Sequence, residues 1–314
     1  MNPFAVARQV GAVLLAIALA PLFMGWVAQC RAWLQNRSAP PLLLPFRTLR
    51  KLFWKDAALA EHASSLFRAT PYVLFGTMVL AASIIPSVVL DLPFVLVADA
   101  IALVGLFATA RVFISLAAMD IGTAFGTLGA RREMMIGFLA EPALLMVFFN
   151  AFLISGSTAL PSIAGRLAAP PFVIYPSLAF AGVAFVMVLL AENARIPIDN
   201  PATHLELTMI HEAMVLEYSG RYLALIEWAA AVKLLVFFAL LGNLFVPWGV
   251  ARELTPEGVL LAAGSFLIKL IALAATIAVL ETRIAKLRLF RVPELLSVSF
   301  VLALLVVSSS FLLR

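Results

Sequence analysis

The sequence predicts an all-α polytopic membrane protein with about eight transmembrane helices, and three observations support this prediction. Of its 314 residues, 64% are hydrophobic and 12% are charged, whereas an ordinary soluble domain has about 45–50% apolar and about 25% charged residues. The mean hydropathy is +1.07. The apolar residues are gathered into long stretches, and about 20 such residues suffice to cross a bilayer as a helix.

Eight stretches have this length and composition. They cover residues 4–29, 71–90, 94–118, 134–156, 173–191, 222–247, 258–280 and 295–313. The first contains ALAP, which resembles a signal-peptide cleavage site. Because its apolar run continues to the length of a full span, we interpret it as a retained helix. We expect residues 1–314 to form a single integral membrane domain.

Basic residues are distributed unevenly between the loops, and this asymmetry predicts the orientation. The loops after spans 1, 3, 5 and 7 hold about fifteen Lys or Arg, against about four on the other side. The odd loops are therefore predicted to be cytoplasmic and both termini outside. This asymmetry accounts for the pI of 9.7, so we expect contact with membrane lipid and none with nucleic acid.

The cysteine content restricts the chemistry of the chain. Cys30 is its single cysteine, which excludes an internal disulfide, a cysteine-ligated zinc site and an iron–sulfur cluster held by this chain alone. We therefore predict no cofactor in this chain and assign any redox centre to a partner.

The first long cytoplasmic loop, residues 30–70, is predicted to contain an amphipathic helix. Apolar and basic residues recur there at helical spacing. The apolar ones are Phe46, Leu49, Leu52 and Phe53, and the basic ones are Arg47, Arg50, Lys51 and Lys55. An anchor on the membrane surface is the favoured interpretation over a substrate-binding role.

The second long cytoplasmic loop, residues 192–220, concentrates charge. It carries five of the seventeen acidic residues and two of the three histidines. Glu206 forms a capping box with Thr203, so a purely local role explains it. Such a role does not explain the other four acids, which alternate with apolar residues: Glu192, Asp199, Glu212 and Glu217. Carboxylates pressed into a low dielectric have raised pKa values, as a proton carrier requires.

The two histidines of this loop are the candidate metal ligands of the chain. His204 and His211 are separated by about 10 Å along a helix, whereas zincin ligands lie four residues apart. We therefore predict no metal ligation and favour histidines that donate hydrogen bonds or relay protons, with plain packing as the alternative.

Six further charges lie inside the predicted spans, where each costs at least about 2.5–3.5 kcal/mol near the bilayer centre. They are Asp99, Arg111, Glu141, Glu227, Lys233 and Lys269. Snorkelling to an interface is a serious alternative for Asp99 and Arg111. Because Glu227 and Lys233 lie on nearly opposite faces of one helix, we expect Lys233 to have its partner on another helix.

Two motifs in the cytoplasmic loops resemble those of a known family. AENARIPIDNP followed by EYSG resembles the signature A-E-x-x-R-x-P-x-D-x-P … E-Y-S-G of the complex I subunit that bridges the quinone cavity and the membrane arm. QNRSAP is similar to the family's Q-x-R-x-G-P, with Ala39 in place of glycine. The interval before EYSG departs from the family by carrying two histidines where acids are common.

Other segments resemble the hydrogenase branch of this family, which includes membrane subunits of formate hydrogenlyase and hydrogenase-4. They are MDIGTAFGTLGARREMMIGFLAEP, WAAAVKLL, FVPWG and LETRIAKLRL. The resemblance therefore covers nearly the whole chain.

The resemblance implies a membrane-anchor and proton-coupling subunit of an oxidoreductase complex in a bacterial or archaeal inner membrane, without catalysis of its own. The implied partners are hydrogenase-like large and small soluble subunits, an iron–sulfur protein and antiporter-like membrane subunits. The implied cofactors are nickel–iron and iron–sulfur centres in those partners, with quinone possible. The implied coupling residues are Glu192, Arg195, Asp199, Glu206, Glu212, Glu217, Glu141, Asp120 and Lys233, with Arg37 at the mouth of a quinone-like cavity.

Two other functions remain open at this point. One is the quinone-binding subunit of an NADH–quinone oxidoreductase. The other is a stand-alone secondary transporter, which intramembrane charge and proline-broken helix ends also suit. The concentration of charge in a cytoplasmic loop, where a soluble partner docks, argues against a transporter.

Overall fold

The computed structural model describes most of the chain as α-helix. The described residues are 3–60, 63–86, 99–169, 176–199, 209–251, 255–288 and 291–312. Within them there are eleven helices and no strand, and Asp99 and Ala159 form an isolated β-bridge. The helices are α1 Pro3–Leu34, α2 Leu44–Trp54, α3 Ser65–Ile84, α4 Ala100–Asp120, α5 Ala124–Ser155, α6 Leu160–Leu167, α7 Pro176–Glu192, α8 His211–Val215, α9 Gly220–Phe245, α10 Pro256–Arg283 and α11 Val292–Leu312.

The structure confirms an all-α multi-pass membrane protein. Among the described residues, seven helices are long and apolar enough to cross a membrane: α1, α3, α4, α5, α9, α10 and α11. The fifth predicted span corresponds to α7, an apolar helix of 17 described residues, which is about 26 Å long. The amphipathic helix predicted in the first loop is α2.

Polar side chains at the loop junctions cap the first turns of several helices. The side chains of Ser64, Asp99 and Thr255 each accept a hydrogen bond from a first-turn N–H of α3, α4 and α10. Asp99 thus occupies a helix end, in agreement with an interfacial position. Helix α5 begins at Ala124 rather than at the predicted residue 134, because the charged segment before the span continues the same helix.

Helix α9 lies at the centre of the bundle. In its most apolar stretch 67% of the residues are buried, against 22% for α10. Its Phe237 ring stacks 4.8 Å from the Phe107 ring of α4 and lies 5.9 Å from that of Phe185 in α7. The same helix also contacts α1, α2, α3 and α10. Residues of α9 therefore meet those of most other spans.

The loops that the sequence predicts to be cytoplasmic contact one another. The backbone N–H of Ser64, before α3, donates to the carboxylate of Asp120 at the end of α4. Lys286, after α10, pairs with Asp199, after α7. Gly220 adopts φ +53°, and a Cβ there would lie 2.8 Å from the Lys55 carbonyl oxygen, so only glycine permits this approach. These four loops share one face of the bundle.

Candidate functional site

A buried group of five charges, which we call the inner cluster, lies between α4, α5, α7 and α9. It consists of Arg111, Glu133, Glu141, Glu192 and Lys233. Arg111 is its centre: Nε donates to Glu133 Oε1 at 3.2 Å, while Nη1 and Nη2 donate to Glu141 and Glu192. One guanidinium thus joins three carboxylates from two neighbouring helices.

Lys233 extends the inner cluster onto α9. Its Nζ donates to Glu192 Oε2 at 2.8 Å and lies 5.8 Å from the centre of the Phe107 ring. The side chain of Glu192 is inaccessible to solvent, so the two flanking cations compensate the cost of burying its charge. The structure thus places the partner of Lys233 on another helix, as the sequence predicts.

Glycine and helix geometry make room for this arrangement. A Cβ at Gly137 would lie 2.6 Å from both Cδ and Nη1 of Arg111, so the absence of a side chain admits the guanidinium. Glu133 and Glu141 are two turns apart on α5, about 12 Å along its axis. Arg111 contacts one carboxylate on each side of this glycine.

The inner cluster contains one more acid than it contains bases. In the ion pairs of the described residues, three carboxylates face two cations. An unbalanced charge in a low dielectric is unfavourable. The cluster can therefore accept one proton and become neutral, which is the chemical property that a proton-transfer site needs.

A second group of charges, which we call the loop cluster, joins the loop after α7 to the ends of α1 and α10. It consists of Arg31, Arg195, Asp199, Glu281 and Lys286. The distances are 3.3 Å from Arg195 Nη1 to Glu281 Oε1, 3.6 Å from Arg31 Nη1 to Glu281 Oε2, and 3.2 Å from Lys286 Nζ to Asp199 Oδ1.

Asp199 also organises the backbone at the start of α8. Its Oδ2 accepts hydrogen bonds from the N–H groups of Ile210 at 3.3 Å and His211 at 3.2 Å. The carboxylate is buried, so its contacts with Lys286 and with two N–H groups satisfy both oxygens. Asp199 thereby fixes the entrance to α8.

A cavity of about 570 Å³ connects the two clusters. Its charged lining residues are Arg31, Arg37, Arg111, Glu133, Glu192, Arg195, Glu212, Glu227 and Lys233, together with His211. Met24, Leu74 and Met78 contribute an apolar side. Its volume lies in the range of small-molecule sites, about 300–1,000 Å³.

The described residues among the predicted sites fall into three groups. Glu192, Arg195, Glu212, Lys233 and Arg37 line the cavity. Glu141 and Asp199 belong to the two clusters without lining the cavity. The Asp120 carboxylate instead accepts a hydrogen bond from the Ser64 N–H, and Glu217 is exposed. Glu206, with His204 and the predicted capping box, lies outside the described residues.

Sequence reasoning missed several cluster members. Arg111 does not snorkel: it is 6% exposed, because three carboxylates hold it inside the bundle. Glu133 follows two arginines just before the predicted span, and Glu281 and Lys286 follow another, so all three resemble ordinary interfacial charges. The sequence feature that distinguishes them is their position in the family-like segments GARREMMIG and LETRIAKLRL.

The EYSG motif joins loops rather than presenting its tyrosine to the cavity. The Tyr218 hydroxyl donates to the Phe67 carbonyl oxygen at 3.0 Å, and the two rings stack at 3.9 Å. Burial raises the pKa of this hydroxyl above its usual value. The hydroxyl is therefore a neutral donor at physiological pH.

No metal centre is formed by the residues that the structure describes. Nowhere among them do three or more His, Cys, Asp or Glu side chains come together in a way that suits an ion. His211 lies at the cavity beside Glu212, and its distant partner in the sequence, His204, is not described.

Comparison with known proteins finds relatives over nearly the whole chain. Residues 8–311 match the family model described as NADH dehydrogenase. Formate hydrogenlyase subunit 4 of Escherichia coli K12 is 33% identical over 292 residues, which is 93% of this chain and 94% of the relative. Hydrogenase-4 component C of the same organism is 31% identical over 306 residues, which is 96% and 93% of the two chains.

A solved structure shares the fold. A chain of the membrane-bound sulfane sulfur reductase, an archaeal respiratory membrane complex, superposes with a TM-score of 0.81 at 17% identity, over 98% of this chain and 99% of that one. At this identity the likeness concerns the fold alone. The family model and the two Escherichia coli relatives carry the assignment: the chain belongs to the NADH dehydrogenase family of complex I membrane subunits, in its hydrogenase branch.

Proposed function

We propose that this chain is the membrane-anchor and proton-coupling subunit of a complex I-related, group 4 hydrogenase-like oxidoreductase complex. It links a soluble electron-transfer arm to antiporter-like proton-pumping subunits. The observation that carries the proposal is the inner cluster, in which an excess carboxylate lies between a cavity at the loop face and the middle of the bundle.

The cavity supplies the entry for protons in this proposal. Arg111, Glu133, Glu192 and Lys233 line it and belong to the inner cluster, so water in the cavity reaches four of its five members directly. A proton taken up there neutralises the excess negative charge. Glu192 holds both Arg111 and Lys233, and these two cations favour its ionised form. A change in the net charge of the cluster is therefore transmitted through Glu192 to Lys233.

Glu141 is the exit in this proposal. Its side chain is 29% exposed and it does not line the cavity. Nearby on α5, Phe138 is 80% exposed, so this side of the helix faces lipid or a neighbouring subunit. A shift of charge that reaches Glu141 through Arg111 is thereby transmitted to an antiporter-like membrane subunit.

The soluble arm docks on the face of the odd loops in this proposal. Arg37 at the cavity, Glu206 and the exposed Glu217 belong to those loops, and positive-inside asymmetry assigns them to the cytoplasm of a bacterial or archaeal cell, with both termini outside. Nickel–iron and iron–sulfur centres belong to the soluble partners. This chain contributes no electron carrier of its own.

The decisive experiment is Glu192→Gln in the complete complex in inverted membrane vesicles. We expect the complex to assemble and the soluble arm to transfer electrons, while formation of a proton gradient is lost, because the amide keeps the shape of the side chain without the charge that holds Arg111 and Lys233. Glu294→Gln, on the exposed start of α11, is the matched control. A gradient of normal size in Glu192→Gln contradicts the proposal, as does substrate flux catalysed by the chain alone in liposomes.

A quinone-binding subunit is the second candidate, favoured by the size and mixed lining of the cavity. A quinone headgroup would meet Arg37 and His211 on the polar side and Met24, Leu74 and Met78 on the apolar side. When bound, a quinone supplies a two-electron, two-proton acceptor. Labelling of the complex with a photoreactive quinone tests this: label on these residues supports the second candidate, and its absence contradicts it.

A further inference from the structure

The outer face of α2 carries four residues that neither cluster uses. Arg47, Arg50 and Lys51 recur at helical spacing, and Trp54 follows one turn later on the same face. All four are exposed, Trp54 to 87%, and they surround a hollow of about 390 Å³. We call these four residues the α2 patch. In the described part of the chain, no carboxylate pairs with its three cations.

The apolar face of α2 is already occupied by the protein. Leu49 is buried, and the Phe53 ring lies 6.1 Å from that of Trp228 in α9. Helix α2 therefore rests on α9 and α1 through its apolar residues instead of inserting them into lipid. The α2 patch points in the opposite direction, away from the bundle.

Contacts of α2 place it beside the spans rather than above them. The Leu42 carbonyl oxygen lies so close to Gly25 that a Cβ there would be 2.3 Å away. Gly25 is about 13 Å inside α1 from its end at Leu34, and Trp228 is about 12 Å inside α9 from its start. Leu43 and Leu44, at the start of α2, are 51% and 44% exposed. The patch thus lies beside the ends of the spans on the loop face, within reach of a lipid headgroup layer.

We propose that the α2 patch binds the phosphate-bearing headgroup of an anionic phospholipid. Guanidinium groups bind phosphate oxygens through paired hydrogen bonds, and lysine adds a point charge. Tryptophan is enriched at membrane interfaces, where its ring contacts lipid and its N–H meets polar groups. Clusters of basic residues at the cytoplasmic leaflet attract anionic lipids. An acidic segment of a soluble protein is the competing occupant, but the depth of α2 and its exposed Trp54 and leucines favour lipid.

The test compares two variants that lose equal charge from the same face of the bundle. The patch variant is R47Q/R50Q/K51Q, and the control is R131Q/R283Q/R288Q, three exposed arginines in loops or at helix ends of that face. Each full chain is purified, exchanged into detergent with phosphatidylglycerol or phosphatidylcholine, and its retained lipid is counted by native mass spectrometry.

We expect the parent and the control to retain phosphatidylglycerol over phosphatidylcholine, and the patch variant to retain at least about tenfold less phosphatidylglycerol. R47K/R50K keeps the charge and should keep most of the retention, which separates charge from folding. Equal retention by the patch variant and the parent overturns the proposal, as does equal loss in the control. The same variants are also purified as the complete complex, where loss of a soluble partner subunit with unchanged lipid retention overturns the proposal in favour of the acidic segment.

This inference is independent of the proposed function. The α2 patch lies outside both clusters and does not line the cavity, and lipid retention needs neither turnover nor a proton gradient. A failure of either proposal therefore leaves the other intact.

Discussion

The inner cluster and the loop cluster contain the same kinds of residue in opposite proportion. In the inner cluster three carboxylates face two cations, and in the loop cluster two carboxylates face three cations. The inner cluster joins four spans around a fully buried Glu192, whereas the side chains of Arg31 and Lys286 are 25% and 23% exposed. Excess charge in contact with water is solvated, whereas excess charge inside the bundle is unfavourable and promotes proton uptake.

This difference suggests a division of work. The inner cluster is suited to holding a proton whose arrival changes its contacts, while the loop cluster is suited to holding the loop after α7 against α10. Substitutions in the inner cluster should therefore affect stability and coupling strongly, and those in the loop cluster should mainly affect local order.

The largest effect is expected from Arg111→Ala, which breaks the inner cluster. It leaves Glu133, Glu141 and Glu192 without the guanidinium that joins them, and removing one partner of a buried pair costs about 3–5 kcal/mol. We expect a large fall in the detergent-solubilised melting temperature and poor assembly. Arg131→Ala, an exposed arginine on the same face, should change the free energy of unfolding by less than about 0.5 kcal/mol. Equal melting temperatures for the two variants would refute the central role of Arg111.

Lys233→Met should separate coupling from stability within the inner cluster. Glu192 loses Lys233 but keeps Arg111, so we expect a cost of about 1–3 kcal/mol, which permits assembly. Electron transfer by the soluble arm should persist while the proton gradient disappears. Lys269→Met makes the same change on α10, at a residue outside both clusters, and should preserve the gradient. A gradient retained in Lys233→Met and lost in Lys269→Met would contradict the assignment of the inner cluster.

The sequence was sufficient for the fold because span length and apolar composition are properties of single segments. All eight predicted spans correspond to described helices, and the loop asymmetry agrees with the four loops that share one face. The clusters were harder, because their contacts depend on how four helices are rotated about their axes. Lys233 was recognisable by its depth in an apolar span, whereas Glu133 became a cluster member only through Gly137 and the approach of α4.

Asp199→Asn tests the loop cluster. The amide still accepts hydrogen bonds from the N–H groups of Ile210 and His211 but loses the charge that holds Lys286. We expect a loss of about 1–2 kcal/mol, confined to the neighbouring loops. Hydrogen exchange should accelerate in residues 193–199 and 209–215 and remain unchanged in α4 and α5. Faster exchange in α4 would show that the two clusters act as one unit.

Of these substitutions, Arg31→Gln should have the smallest effect on stability. Arg31 approaches Glu281 Oε2 at 3.6 Å, which is too long for a hydrogen bond, and that oxygen has no hydrogen-bond partner among the described residues. Glu281 keeps Arg195 at 3.3 Å, so the carboxylate is not stranded. With a partly exposed arginine the expected cost is about 0–1 kcal/mol, measured as the shift in melting temperature at low salt.

Arg195→Gln is the matched change on the other side of Glu281 and should cost more, because it removes the hydrogen-bonded partner. If Arg31→Gln lowered the melting temperature more than Arg195→Gln, the charge of Glu281 would be compensated mainly through its longer contact with Arg31. The loop cluster would then hold α10 to α1 rather than to the loop after α7.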